Sequence, residues 1–260
     1  MTTTVRPTAA KRFAPAANRA PMDSVRKTAL IAGVLYIVTF AASIPAKFFL
    51  LDPAFANADF MTRPGLDNAL LWGGFLDLIT GLAGIGTAVA LYSVVKKQHE
   101  GLALGFVTTR LFEAAVIVVG VIAVVTVVTL RQDLTGAAGT DAAALATTGN
   151  ALAAIYGWTF LIGPGVMAGV NALLLGSLMY RSRLVPRVIP VMGLIGAPLL
   201  LVSVIAAFFG LHDLTSPIHT LAVAPIFVWE LSLGFYMAVK GFKPSPITAT
   251  TQVHTALPVA

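Results

Sequence analysis

Six long apolar segments separated by short polar connections dominate the pattern of hydrophobic and polar positions along the chain. They cover about residues 28–51, 69–95, 102–130, 152–180, 187–211 and 219–239. A bilayer core needs about 20 apolar residues in a helix, and each segment reaches that length. Only helices and closed barrels satisfy backbone polar groups in hydrocarbon, and the sequence lacks the alternation of a membrane barrel. The pattern therefore predicts an all-α integral membrane bundle of six transmembrane helices.

The composition agrees with lipid as the solvent of this chain. Only 11% of the residues are charged, against about 25% in an ordinary soluble domain. The chain has no Cys, which excludes disulfides, thiolate metal sites and a cysteine nucleophile. It also has no H-E-x-x-H, G-x-S-x-G or Walker A motif. We therefore expect a protein that is not an enzyme, with no catalytic residue, no metal and no cofactor.

The basic residues between the segments predict the orientation of the bundle. Thirteen lie on the side that carries both termini, and three lie on the opposite side. The thirteen are Arg6, Lys11, Arg12, Arg19, Arg26, Lys27, Lys96, Lys97, Arg181, Arg183, Arg187, Lys240 and Lys243. This positive-inside asymmetry predicts a plasma-membrane protein with both termini in the cytoplasm. The net charge of +6 follows from this topology, so we expect the lipid bilayer and no nucleic acid as a partner.

Both ends of the chain differ from the apolar core. Residues 1–26 are rich in Ala, Pro and Thr, which predicts a disordered cytoplasmic tail, and residues 243–260 predict a flexible cytoplasmic tail. The six-helix transmembrane domain is expected to cover residues 27–242. A secretory signal is the alternative for the first segment, since Ala41-Ala42-Ser43 resembles a cleavage site. The apolar run continues past those residues and is too long for a signal, which favours a membrane span.

Four charged side chains lie deep inside the predicted spans, away from their ends, where such residues face the bundle interior or a wet cavity. Arg110 and Glu113 share one face of the third span, and Glu230 in the sixth has a similar predicted depth. Asp77 lies nearer the outer side, and the polar Asn171 lies nearer the inner side. We predict that these five residues form an intramembrane polar cluster. Because Arg110 most easily pairs with Glu113, we expect Glu230 or Asp77 to be neutral.

Three interpretations of this cluster stay open. It can be an interhelical clasp that fixes the register of the helices, a pathway for protons or ions, or a binding site for a polar ligand or a lipid head group. The four histidines, His99, His212, His219 and His254, fall in predicted loops or tails. We therefore expect no pair of haem ligands within the bundle.

The fourth span contains Gly163-Pro164-Gly165 near its middle. Proline removes a backbone hydrogen bond and glycine loosens the backbone, so these residues predict a helix break. Gly165 and Gly169 form a G-x-x-x-G pair, which is typical of close helix contacts. The alternatives are a kink in a tightly packed bundle and a broken helix that lines a substrate cavity. The break has no counterpart in the other half of the chain, which favours packing.

Three stretches of the core carry a resemblance to known sequences: EGLALGFVTTRLFEAA (100–115), WTFLIGPGVMAGVNALLLGSLMYRSRLVPRVIPVMGLIGAPLLL (158–201) and PIFVWELSLGFYMAVKGF (225–242). They resemble an uncharacterised bacterial family of multi-pass membrane proteins, described only as a domain of unknown function. The resemblance runs from about Arg26 to Phe242 and implies an α-helical membrane protein with no assigned activity. It also implies that the basic loop 180–187 belongs to the family's typical pattern. The same holds for Arg110, Glu113, Asn171 and Glu230.

These observations lead to two expected classes of function. The first is a non-enzymatic, membrane-embedded accessory, sensor or assembly protein, with a second copy or another membrane protein as its partner. The alternative is a proton- or ion-coupled carrier of a small solute, which would use the polar cluster and move at the break around Gly163–Gly165. An intramembrane enzyme acting on lipid is the third class, and the sequence disfavours it because no nucleophile–base constellation is present.

Overall fold

The computed structural model describes residues 23–134 and 142–248, and these residues are largely helical with no strand among them. Among them, six helices are long and apolar enough to span a membrane: α1 (Ser24–Phe55), α2 (Asp67–Val95), α3 (Glu100–Asp133), α4 (Ala143–Ser182), α5 (Val188–Phe208) and α6 (Pro217–Val239). The predicted all-α bundle of six transmembrane helices is therefore confirmed. The predicted segments fall inside these helices, except that α5 begins and ends inside its predicted range.

The six helices form a closed ring in chain order. Each helix packs against the next one along the chain, and α6 closes the ring by packing against α1. We call the end of the bundle where α1 begins and α6 ends the terminal side, and the opposite end the far side. Gly33 and Gly234 lie where α1 crosses α6, and a Cβ on Gly33 would come within 2.4 Å of the Ala238 backbone nitrogen. Glycine permits this close approach of two backbones.

The two ends of the ring are also joined by hydrogen bonds on the terminal side. Arg26 donates to the carbonyl oxygens of residues 237–239, at 2.9 Å in each case. These carbonyls belong to the last turn of α6, where the helix supplies few donors, although the Met237 carbonyl also accepts the backbone N–H of Gly241 at 3.1 Å. The guanidinium therefore caps one helix from the first turns of another.

The folded region extends into both of the predicted tails. Helix α1 begins at Ser24, so the last residues of the predicted N-terminal tail are helical. After α6, the backbone N–H of Lys243 donates to the carbonyl of Leu184 at 2.7 Å, and the Ser245 hydroxyl donates to the carbonyl of Ser182 at 2.6 Å. Residues 243–248 thus pack on the loop after α4, because they find unpaired carbonyls there. Residues 1–22 and 249–260 of the predicted tails lie outside the described residues.

The connection between α1 and α2 is fixed to the far side by Arg131, near the end of α3. This guanidinium donates to the carbonyl oxygens of Phe60 and Arg63 and pairs with Asp67 at 2.6 Å. Arg131 is only 8% exposed. A buried guanidinium with several acceptors orders the segment that supplies them. The far-side connection is therefore part of the folded core.

Two of the described spans contain a π-helical segment. One covers Pro45–Leu51 in α1, and the other covers Leu161–Met167 in α4 and includes Gly163-Pro164-Gly165. The residues predicted to break the fourth helix thus lie in a π-helical segment within a continuous span. The wider i→i+5 pairing gives room for a proline, which has no N–H to donate.

Replacing Gly33 with alanine is expected to destabilise the protein by about 1 to 3 kcal/mol, because the added methyl group overlaps the backbone of α6. Gly157→Ala is the matched control, since a Cβ at that position meets nothing within 4 Å. Thermal unfolding of the purified variants in detergent measures both effects. Equal unfolding temperatures for the two variants would contradict the close contact between α1 and α6.

Candidate functional site

Arg110 lies at the centre of a polar cluster inside the ring. Its Nη1 donates to Glu113 Oε2 at 3.0 Å, and its Nη2 donates to Glu230 Oε1 at 2.7 Å and to Tyr36 Oη at 3.2 Å. Asn171 Nδ2 donates to the same oxygen of Glu113 at 2.8 Å. The structure thus brings together Arg110, Glu113, Asn171 and Glu230, and adds Tyr36. These residues come from four helices: α1, α3, α4 and α6.

The cluster is shielded from the outer surface of the bundle. Arg110 is 6% exposed, Glu113 is 8% exposed and Asn171 is fully buried, whereas Glu230 is half-buried. The ring centroids of Tyr36 and Phe106 lie 5.5 and 5.8 Å from the Arg110 guanidinium carbon. Such distances are typical of cation–π contacts. Charge-assisted hydrogen bonds are strengthened in surroundings of this low polarity.

Arg110 pairs with Glu113, as the sequence predicts, and it also reaches Glu230 on α6. The guanidinium can serve both carboxylates because it carries five N–H donors in a planar fork. That Glu230 or Asp77 is neutral stays a prediction. Arg110 Nε is buried and has no hydrogen-bond partner among the described residues.

Asp77 lies apart from this cluster, in a second polar group nearer the far side. Tyr156 Oη donates to Asp77 Oδ2 at 3.3 Å. The neighbouring Lys47 pairs with Asp52, and its Nζ lies 4.4 Å from the ring centroid of Phe160 and 5.5 Å from that of Tyr156. The predicted cluster of five residues is therefore two groups, and Asp77 belongs to the second.

A cavity of about 260 Å³ extends between the two groups and is not enclosed. Arg110, Glu113 and Glu230 line it at mid-depth, and Lys47 and Asp77 line it toward the far side. All six spans contribute to its walls. The two polar groups therefore face one shared space in the middle of the ring.

The π-helical segment of α4 forms part of the cavity wall. Pro164 and Gly165 line the cavity. Gly163 faces α3 instead, where a Cβ would lie 3.2 Å from Val116 Cγ1. Short π-helical turns inside α-helices are frequent at functional sites. The predicted helix break thus lies beside the space that a ligand would occupy.

His219 lies in the first turn of α6 rather than in a loop, and it lines the cavity. The helix begins earlier than predicted because Ser216 caps it by accepting the His219 N–H at 3.2 Å. Ser203 Oγ lies 3.0 Å from His219 Nδ1 and 3.2 Å from His212 Nε2. Within residues 23–134 and 142–248, no group of three His, Cys, Asp or Glu side chains could hold a metal ion. His254 lies outside these residues.

Sequence reasoning missed three further residues of the site: Tyr36, Lys47 and Tyr156. Lys47 lies two residues after Pro45, and a proline within an apolar run was a usable signal for an irregular helix there. The two tyrosines gave no such signal, because an amphipathic ring suits the membrane interface as well as a buried cluster. Their roles became visible only from the packing of the helices.

Arg110→Met is expected to destabilise the fold by about 3 to 5 kcal/mol, because the buried Glu113 and the half-buried Glu230 then lose their shared cation. Arg63→Met removes the same charge from an exposed position and is the matched control. Denaturant titration of both variants in lipid nanodiscs measures the difference. If Arg110→Met were as stable as Arg63→Met, the cluster would contribute nothing to the stability of the ring.

Comparison with known proteins shows that the described bundle matches a protein family. The model of a domain of unknown function (DUF4386) matches residues 31–241. The matched range begins in α1 and ends just after α6, so it includes both polar groups and the cavity between them. No curated protein and no solved structure matches the chain.

Proposed function

Because the chain belongs to the DUF4386 family, whose description assigns no activity, we propose its function from the geometry of the cavity. It is a non-enzymatic, membrane-embedded binding protein of the sensor class, which holds a small ligand inside the ring of six helices. One observation carries this proposal: the cavity reaches the Arg110 cluster, where side chains of four helices meet. Concave sites with apolar walls and a few convergent polar groups are typical of ligand binding.

The polar cluster gives a bound ligand a route to the packing of the helices. Glu230 belongs to α6 and Arg110 to α3, and both line the cavity. A ligand that bonds to either group changes the ion pair that joins these helices across the ring. Such a ligand shifts the arrangement of the ring only if it binds one arrangement more tightly than another. Arg110 already bonds to both glutamates, so all three side chains are held in ion pairs. This arrangement favours binding over catalysis.

We also propose that the protein lies in the cell membrane with both termini in the cytoplasm. The sequence supports this orientation, because thirteen basic residues fall in the segments assigned to the side of the two termini and three in the opposite segments. The cavity extends toward the far side and would then receive solutes from outside the cell. The partner that responds to ligand binding would be a second copy or another membrane protein in the same bilayer.

Cysteine accessibility tests whether the cavity receives solutes. The chain has no Cys, so single-cysteine variants react at one position only. Thr80 lines the cavity, whereas Leu82 on the same helix is 69% exposed on the outer surface of the ring. We expect a charged, membrane-impermeant methanethiosulfonate, added from outside the cell, to modify Thr80→Cys. Leu82→Cys should stay unmodified, because thiolates do not form in lipid.

The two cysteine variants also separate the parts of this proposal. Modification of Thr80→Cys only from the cytoplasmic side would reverse the proposed orientation and leave the binding cavity in place. Absence of modification from either side, in a folded protein, would contradict the binding function.

A proton- or ion-coupled carrier is the second candidate, favoured by the π-helical segment in the cavity wall. Irregular helices at the midplane are typical of transporters. Gly165→Ala tests this role, because a Cβ there would lie 3.5 Å from its nearest neighbours and fits, while alanine restricts the backbone. In proteoliposomes, a carrier predicts proton flux that falls with Gly165→Ala and disappears with Glu230→Gln. Wild-type flux equal to that of protein-free liposomes would rule out the carrier function.

A further inference from the structure

The lysine and the arginine that line the cavity are both already paired with acids, while His219 lies against the Ser203 hydroxyl, and Arg110 Nε, which has no partner among the described residues, is buried. Arg110 is shared by Glu113 at 3.0 Å and by Glu230 at 2.7 Å, and Lys47 pairs with Asp52. An anionic ligand would have to separate one of these pairs, and removal of one partner from a buried pair is costly. The cavity is therefore poorly suited to an anion.

Among the described residues that line the cavity, Asp77 is the acid that forms no ion pair, and it accepts a hydrogen bond from the hydroxyl of Tyr156. When these groups are ionised, three carboxylates of the lining face two cations, so the lining carries one excess negative charge. Asp52, which pairs with Lys47 from outside the lining, adds a second negative charge nearby. A site of low dielectric constant disfavours such an excess. A bound cation would remove part of it, and Asp77 is the carboxylate that can bond to that cation without losing an ion pair.

The remaining walls of the cavity fit a small apolar group. The rings of Phe40 and Phe227 both line it, with centroids 5.1 Å apart in an edge-to-face arrangement. Phe160 already holds the ammonium group of Lys47 4.4 Å from its ring centroid, which shows that this aromatic wall accepts an ammonium. A volume of about 260 Å³ is below the range of about 300 to 1,000 Å³ typical of drug-sized ligands. The ligand should therefore be small.

From the charge balance, the aromatic walls and the volume, we infer that the ligand is a small organic cation. It consists of an ammonium group, held by Asp77, and a short apolar or aromatic tail, which lies against Phe40 and Phe227. This inference rests on the proposed binding function and names the chemical class of its ligand.

Three probes of similar size and different charge test this inference: 2-phenylethylammonium, 3-phenylpropionate and 2-phenylethanol. The full chain carrying Thr80→Cys is placed in nanodiscs and treated with uncharged methyl methanethiosulfonate, which does not compete for Asp77. Thr80 lies three residues after Asp77 on the same face of α2, so it reports on occupancy beside the carboxylate. Each probe is added at the same concentration. We expect the ammonium probe to slow modification about tenfold more than the alcohol does, equivalent to about 1.4 kcal/mol.

Asp77→Asn in the Thr80→Cys background tests the proposed anchor. Asparagine keeps the shape of the side chain and removes its charge, so the ammonium probe should then protect no better than the alcohol. Asp59→Asn removes the same charge from an exposed residue of the far-side connection and should leave full protection. An unchanged rate of modification without probe shows that the cavity of the Asp77→Asn variant is intact.

The outcomes separate the ligand class from the binding function. If the cysteine reacts and the alcohol or the carboxylate protects as well as the ammonium probe, the inference of a cationic ligand is overturned and the proposed binding function stands. The same holds if no probe protects, or if Asp59→Asn loses protection as fully as Asp77→Asn does. If the cysteine does not react without a probe, the binding function itself fails. The probe comparison needs no substitution at Asp77, so it decides the inference even if that variant does not fold.

Discussion

The neutralisation of one buried guanidinium is the constraint on which the rest of the ring depends. Arg110 needs acceptors inside a bilayer, and it finds them on three helices, in Glu113 of its own helix, Glu230 of α6 and Tyr36 of α1. Removing one partner from such a pair costs more than forming the pair gains over an apolar contact. The cluster therefore mainly selects one arrangement of the helices: a shift of α1 by one turn would take Tyr36 away from the guanidinium, and a shift of α6 would take away Glu230.

The fold could be predicted from the sequence because lipid restricts the choice of structure. The bilayer thickness sets the length of the spans, and the cost of burying charge requires Arg110, Glu113 and Glu230 to turn inward and meet. The order of the helices around the ring could not be predicted, because apolar faces that contact lipid and apolar faces that contact a neighbour have similar composition. For this reason the depth of Asp77 could be predicted, but its separation from Arg110 could not.

The spacing of glycines in the sequence predicted some of the helix contacts but not all of them. Gly165 and Gly169 were recognised by their spacing, and a Cβ on Gly169 would meet the Leu201 side chain of α5 at 2.7 Å. Among the described glycines, the position where an added Cβ comes nearest to another backbone is instead Gly33, which has no glycine partner on its own helix at that spacing. Its partner is Gly234, which is two hundred residues distant in the sequence and becomes a neighbour only when the ring closes. A glycine motif within one helix cannot predict a contact between glycines of two different helices.

The closure of the ring through α1 and α6 has a consequence for biogenesis, because these are the first and last of the six described spans to be synthesised. Until α6 enters the bilayer, α1 has a neighbour on one flank only, and the carbonyl acceptors of Arg26 do not yet exist. A chain truncated before α6 would leave this flank open to lipid or to membrane quality-control proteases. The ring can therefore close only after α6 has been inserted into the bilayer.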